Sequence, residues 1–183
     1  MVEAIEFALL TRLGLAHHLQ RMENDAIHRA YHEAGHAVIG RVLGMACGPV
    51  TIVPDDDSAG HSITFDPWVT YERWEERGKS RGDDMHSIYI GRILTIMAGP
   101  EAERELLGTC PDGDGSDLDQ IEDAAMSSDG FSSHDEWKRF EPRMRRQVRR
   151  LVRKHRAKIE LVAQNLLESE ILSGEAADQL VMS

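Results

Sequence analysis

The chain has 183 residues, 41% of them hydrophobic and 29% charged, with a formal net charge of −11. That is enough apolar material for one domain with a core, or one domain plus a helical extension, while the acidic balance argues against generic nucleic-acid binding, which rests on basic surface. Two cysteines, Cys47 and Cys110, are too few for a disulfide framework and form no Cys-x-x-Cys pair; Glu3 and Glu6 interrupt any signal-peptide pattern, and no segment approaches the roughly 20 apolar residues that span a bilayer. The expected setting is a soluble, reduced, cytoplasmic one.

Residues 2–20 read as a short amphipathic helix. A second helix is predicted over about residues 25–43. Asn24 and Asp25 are N-cap residues by type, Ala30, Ala34, Ala37, Val38, Val42 and Leu43 recur at helical spacing, and Gly44 supplies a stop. This helix carries H-E-A-G-H at residues 32–36. Positions i and i+4 share a helix face, so His32 and His36 can hold one metal ion while Glu33 reaches water beside it. The plainer alternative is two satisfied histidines and a surface glutamate. Apolar neighbours weigh against it, because burying two imidazoles and a carboxylate without compensation is costly. Gly35 costs about 1 kcal/mol of helix propensity relative to Ala, which points to close approach of another backbone or to neutral tolerance.

Residues 49–54 (P-V-T-I-V-P) read as a strand and residues 60–66 as a second, hairpin-paired with it across a charged turn at Asp55, Asp56 and Asp57. Residues 67–84 read as a short helix or a mobile flap. Residues 84–98 are apolar nearly all round, as in a buried helix, and residues 101–107 continue it as far as Gly108. After a loop rich in Asp, Gly and Pro, Ser116 caps a predicted helix to about Met126. A polar linker over 127–133 leads to one long helix over 135–168 and a terminal helix over 174–182 capped by Ser173. The long helix is rich in Lys and Arg over 138–158, with Met144, Val148, Leu151, Ile159, Val162 and Leu166 as an apolar seam. A solvated face is favoured over an anionic partner such as a membrane surface or nucleic acid; pairing with the acidic remainder of the chain or with a neighbouring subunit stays open beside it. The fold class is mostly α with one small β-sheet or hairpin.

Catalytic zinc takes three protein ligands and leaves a fourth position for water. H-E-x-x-H supplies two. Candidates for the third are Glu101, Glu103, Glu105, Cys110, Asp112, Asp114, Asp117 and Asp119. A calcium loop in D-G-D-G-S is disfavoured because Asp117 stands where its glycine belongs.

A-Y-H-E-A-G-H-A-V-I-G at 30–40 resembles the peptidase domain of the FtsH family, the membrane-anchored AAA metalloproteases. The resemblance continues in order through 49–54, 60–67, 93–108, 115–121 and 161–175. It implies an FtsH-peptidase-like helical fold with Zn2+ on His32, His36 and Asp117. Asp117 lies in the G-S-D-L-D-Q-I segment, and a carboxylate in the first turn of a helix is favoured by the helix dipole. Glu33 is the expected catalytic base. Glu105 is the runner-up for the third ligand, and the role that suits it better is to orient a ligand histidine. Pro100–Glu101 departs from the family's glycine–arginine pair. A G-x-x-x-x-G-K-S/T phosphate loop is missing from these residues, so the resemblance is to the peptidase part without the ATPase module.

The expected organisation is one peptidase-like domain over 1–183. It has a helical N-terminal extension over 1–22, and the C-terminal helices over 134–183 pack on the core. The expected function is zinc-dependent endopeptidase activity on unfolded or flexible segments, without ATP. The competing reading is a non-catalytic, metal-stabilised adaptor; an intact Glu33 argues against it, and Cys110 as a fourth ligand would favour it. A homo-oligomer or a separate ATPase partner stays open beside the protein or peptide substrate.

Overall fold

The computed structural model describes residues 2–55, 59–78, 84–111, 113, 115, 117–127 and 131–183, with the backbone course alone for residues 2–17 and 84. The described residues are mostly helical, with one three-stranded antiparallel sheet.

The first helix, α1, runs unbroken over Val2–Val42, where the sequence predicts two helices. No Gly or Pro interrupts residues 15–34. Extending an existing helix through Asn24 and Asp25 costs less than nucleating a new one there. Residues 18–25 are exposed, and burial begins in earnest at Ala30. The helix ends as expected, with Gly44 in the left-handed region at φ 78°.

Strands β1 (Cys47–Thr51) and β2 (His61–Thr64) form the expected hairpin, shifted toward the N-terminus in β1. The register slips between Cys47 and Val50, where Gly48 and Pro49 stand. Proline lacks a ladder donor and is accommodated at such a bulge. A third strand, β3 (Ile171–Leu172), pairs antiparallel with β1, giving the order β2-β1-β3. Two residues are too few to leave a sequence signal. The order leaves β2 paired on one side only among the described residues.

Residues 67–76 resolve the helix-or-flap alternative as α2 (Pro67–Glu76). Asp66 caps it by accepting from the Trp68 N–H at 2.9 Å, and Pro67 opens its first turn. Thr70 accepts from the Ala46 N–H and Trp74 Nε1 donates to the Gly44 carbonyl, both at 2.9 Å, so α2 is tied to the end of α1. Asp56, Asp57, Asp112, Asp114, the Ser116 cap and the middle of the 127–133 linker lie outside the described residues.

The buried helix α3 (Asp84–Ala102) crosses α1 and passes into a π-helical turn, Glu103–Leu107, closed by left-handed Gly108. Pro100, inside α3, removes one helical N–H just before that turn. Then follow α4 (Asp117–Ser127), α5 (His134–Lys154), α6 (Arg156–Ser169) and α7 (Gly174–Met182), the last capped by Ser173 as predicted. The predicted long helix is broken at His155, whose backbone sits at φ −106° and ψ 18°. The break lets one apolar seam serve two neighbours: α5 packs on α3 with Met144, Val148 and Val152 buried, and α6 packs on α1 with Ile159, Val162 and Leu166 buried.

The basic face of α5 pairs with acids of the core. Glu101, buried, meets Arg149 Nε at 2.9 Å and Arg145 Nη1 at 3.4 Å. Glu105 meets Arg153 at 2.6 Å. No described helix is long and apolar enough to cross a membrane.

Candidate metal centre

One turn of α1 places His32 and His36 side by side, and each ring is held through Nδ1. His36 Nδ1–H donates to the Thr95 carbonyl of α3 at 2.8 Å. His32 Nδ1 lies 2.7 Å from Glu103 Oε1. A ring whose Nδ1 donates presents the bare lone pair of Nε2, the tautomer that binds metal. Both Nε2 atoms turn toward Asp117, the first residue of α4: its Oδ2 lies 3.1 Å from His32 Nε2 and 3.3 Å from His36 Nε2. Short as these separations are, Asp117 Oδ2 is buried without a hydrogen-bond partner, and so is Glu33 Oε2. The three ligand-type atoms lie within 4.8 Å of one another, so this is a candidate metal site of two nitrogens and one oxygen.

The charges point the same way. Burial works against a proton on His32, but the carboxylates of Asp117 and Glu103 outweigh it and hold the free imidazole up at about 10. His36 is raised as well, burial again opposing and Asp117 prevailing. Burial alone would push Asp117 up; the two imidazoles beside it instead hold it well below the usual carboxylate range. Glu33 is pushed up by burial, with His36 and His32 opposing. Protons thus compensate a cluster of negative charge where a divalent cation would compensate it better, since a cation also satisfies the orphaned oxygen.

Space around the imidazoles is kept by glycine. A Cβ at Gly99 of α3 would stand 2.7 Å from His32 Nε2. A Cβ at Gly35 would stand 2.5 Å from the Ala98 carbonyl oxygen. The helix-propensity cost of Gly35 is therefore explained by close approach of the α3 backbone. The centre opens into a cleft of ≈ 790 Å³, walled on one side by α1 and on another by β2. Gly60, just before β2, is close enough that its Cβ would lie 3.3 Å from Glu33 Cγ.

Of the residues singled out from the sequence, His32, Glu33, His36 and Asp117 come together. Glu105 does not: it faces outward to Arg153, with 2.6 and 3.0 Å hydrogen bonds. The residue that holds His32 is Glu103, which also accepts from His28 Nδ1 at 2.7 Å. Position 103 stood among the third-ligand candidates, but the π-helical turn takes positions 103 and 105 off the regular helical spacing that α3 keeps through position 101, so sequence period could not tell which faces α1. Cys110 bonds to the Gly113 carbonyl at 2.8 Å and to Glu103 at 3.6 Å, outside the cluster. Asp119 is exposed. The Thr95 carbonyl and Gly99 left no signal in their residue types.

A helix carrying His-Glu-x-x-His, completed by a carboxylate from a separate helix, is the arrangement of the zinc-peptidase class. Comparison with known proteins agrees. The chain is 32% identical over 115 residues to the ATP-dependent zinc metalloprotease FtsH of Thermobaculum terrenum, covering 62% of this chain and 16% of that protein. It is 36% identical over 94 residues to FtsH 2 of Salinibacter ruber, covering 50% of this chain and 12% of the relative. A third relative, FtsH 3 of Conexibacter woesei, is 24% identical over 197 aligned positions, which cover 87% of this chain and 25% of that protein. No protein-family model matches the chain. The chain is a distant homologue of the FtsH metalloproteases and corresponds to a quarter or less of their length, in the peptidase region.

Proposed function

We propose that the chain is a zinc-dependent endopeptidase acting on unfolded or flexible protein segments, with residues 1–183 working as one peptidase-like unit. The observation that carries this reading is the meeting of His32 Nε2, His36 Nε2 and the unbonded Asp117 Oδ2 beside the buried, unbonded carboxylate of Glu33. His32, His36 and Asp117 would hold the ion. Zinc there would supply Lewis acidity, polarising a peptide carbonyl and acidifying water toward a pKa of roughly 7.

The remaining steps belong to side chains. Glu33 takes the proton of the attacking water; its raised proton affinity, a consequence of burial, suits a base that must afterwards deliver that proton to the leaving amine. Glu103 and the Thr95 carbonyl keep both imidazoles in one tautomer and one orientation throughout. The open edge of β2, along the cleft, is where an extended substrate adds as a strand, its backbone bonded to β2 and its scissile carbonyl brought next to Glu33. None of these steps uses a nucleotide. The relatives' ATP dependence would enter only in delivering folded substrates.

Metal analysis tests the ligand set. Purified wild type is expected to carry about one zinc per chain and Asp117→Ala almost none. Unchanged zinc in Asp117→Ala would remove Asp117 from the centre.

A further inference from the structure

Arg29 lines the cleft, and the chemistry above gives it no role. It lies on α1 one turn before Glu33, so Arg29, Glu33 and His36 follow one another along the helix face that walls the cleft. The side chain is half-buried, and its Nε is fully buried with no hydrogen-bond partner. Asp25 is placed at i−4, the usual position for a helical ion pair, and also lines the cleft, yet no ion pair joins them. Arg92, the other arginine of the cleft, is committed by contrast to the Phe65 carbonyl at 2.9 Å. A guanidinium presents a planar fork matched to carboxylates, and leaving one of its donors buried and unbonded is costly unless a ligand completes it.

Resting on the peptidase reading, we infer that Arg29 is a specificity-determining residue that binds a carboxylate of the substrate. Helix rise puts Arg29 about 7 Å along the axis from the midpoint of His32 and His36. Two residues of extended chain span that axial separation and the arginine side chain adds its own reach, so the carboxylate lies within about three residues of the cleaved bond. Two sources share this chemistry, an internal Asp or Glu side chain and a substrate's C-terminal carboxylate.

The test pairs cleavage with binding. Zinc-loaded wild type, Arg29→Gln and Arg29→Glu are given matched peptides with Glu, Gln or Lys placed one, two or three residues either side of the cleaved bond, each with a free or an amidated C-terminus. Wild type favours the acidic peptide about tenfold or more in kcat/KM, the range of one charge-assisted hydrogen bond. In Arg29→Gln that ratio falls to near one, and in Arg29→Glu the preference passes to Lys peptides. Selection by the internal side chain survives amidation; selection by the terminus is lost with it. Binding of the same fluorescent peptides is then measured on Glu33→Gln protein, with and without Arg29→Gln. Selective binding that needs Arg29, with no cleavage by wild type, upholds the recognition and overturns the peptidase reading. Cleavage with an equal Glu-to-Gln ratio in wild type and Arg29→Gln overturns the recognition alone.

Discussion

Glu103 and Glu105 stand two residues apart with opposite duties. The first is 2.7 Å from His32 Nδ1 and 2.7 Å from His28 Nδ1, and these two imidazoles overcome the effect of burial to hold its carboxyl below the usual range. The second is spent on Arg153, which is largely exposed. A partner that orients a metal-ligating histidine is worth roughly 10–100-fold in metal affinity. Zinc competition against a chromophoric chelator is therefore expected to show weakening of that size in Glu103→Gln and little change in Glu105→Gln. Equal weakening in both would return Glu105 to the site. The same pair marks the limit of reading residues from sequence. His32, Glu33 and His36 are legible because i and i+4 on a regular helix fix their relation. Glu103 is not, because its direction is set by a π-helical turn that follows Pro100.

Helix α5 illustrates what its charges do at the scale of elements. Its run of arginines reads from sequence as a solvated face, with pairing to the acidic remainder of the chain or to a neighbouring subunit open; Glu101 supplies an internal partner for two of them. Glu101 bridges α3 to Arg145 and Arg149 on α5. Removing Glu101 takes charge-assisted hydrogen bonds from Arg149, which is partly exposed, and from Arg145, which keeps Glu141 at 3.1 Å, at a cost of about 2 kcal/mol, while an exposed pair such as Glu105–Arg153 is worth less than about 1 kcal/mol. Urea unfolding is expected to separate Glu101→Ala from Glu105→Ala by that margin; equal midpoints would mean that Glu101 contributes no more than a surface charge.

The break between α5 and α6 carries a pH dependence. Burial, then Lys154 and Lys158, hold the His155 imidazole below its ordinary value, and its Nε2 is buried without a partner. The unfolded chain therefore takes up this proton more readily than the folded one. The stability it contributes is present above the unfolded value near 6.5, is lost as pH falls through it, and levels off below the depressed folded value. Unfolding followed from about pH 8 to about pH 5 should show a smaller acid loss in His155→Gln than in wild type. An unchanged slope would acquit His155. Nothing in Lys154–His155–Arg156 resembles a helix stop, which is why the break escaped the sequence. It arises from tertiary packing, as the apolar seam turns from α3 to α1.

Across the whole molecule, the legible parts are those written in local spacing: the motif, the Gly44 stop, the hairpin, the Ser173 cap and the apolar α3. Those written in contacts between distant segments were hidden, among them β3, the π-helical turn and the Thr95 carbonyl behind His36. Asp117 is intermediate, visible through its family resemblance and its place at a helix start, but joined to the histidines only by the fold. What these parts produce together is one cleft in which a candidate metal-ligand cluster, a buried carboxylate and a strand edge unpaired among the described residues meet. The most direct measurement is cleavage of an unfolded protein by wild type and by Glu33→Gln, each with its zinc content determined. The account predicts proteolysis by wild type, abolished by chelation. It also predicts that Glu33→Gln keeps its zinc and loses activity by at least about 100-fold, the contribution of a positioned general base. Comparable proteolysis by the two proteins, or none from zinc-loaded wild type, would contradict it.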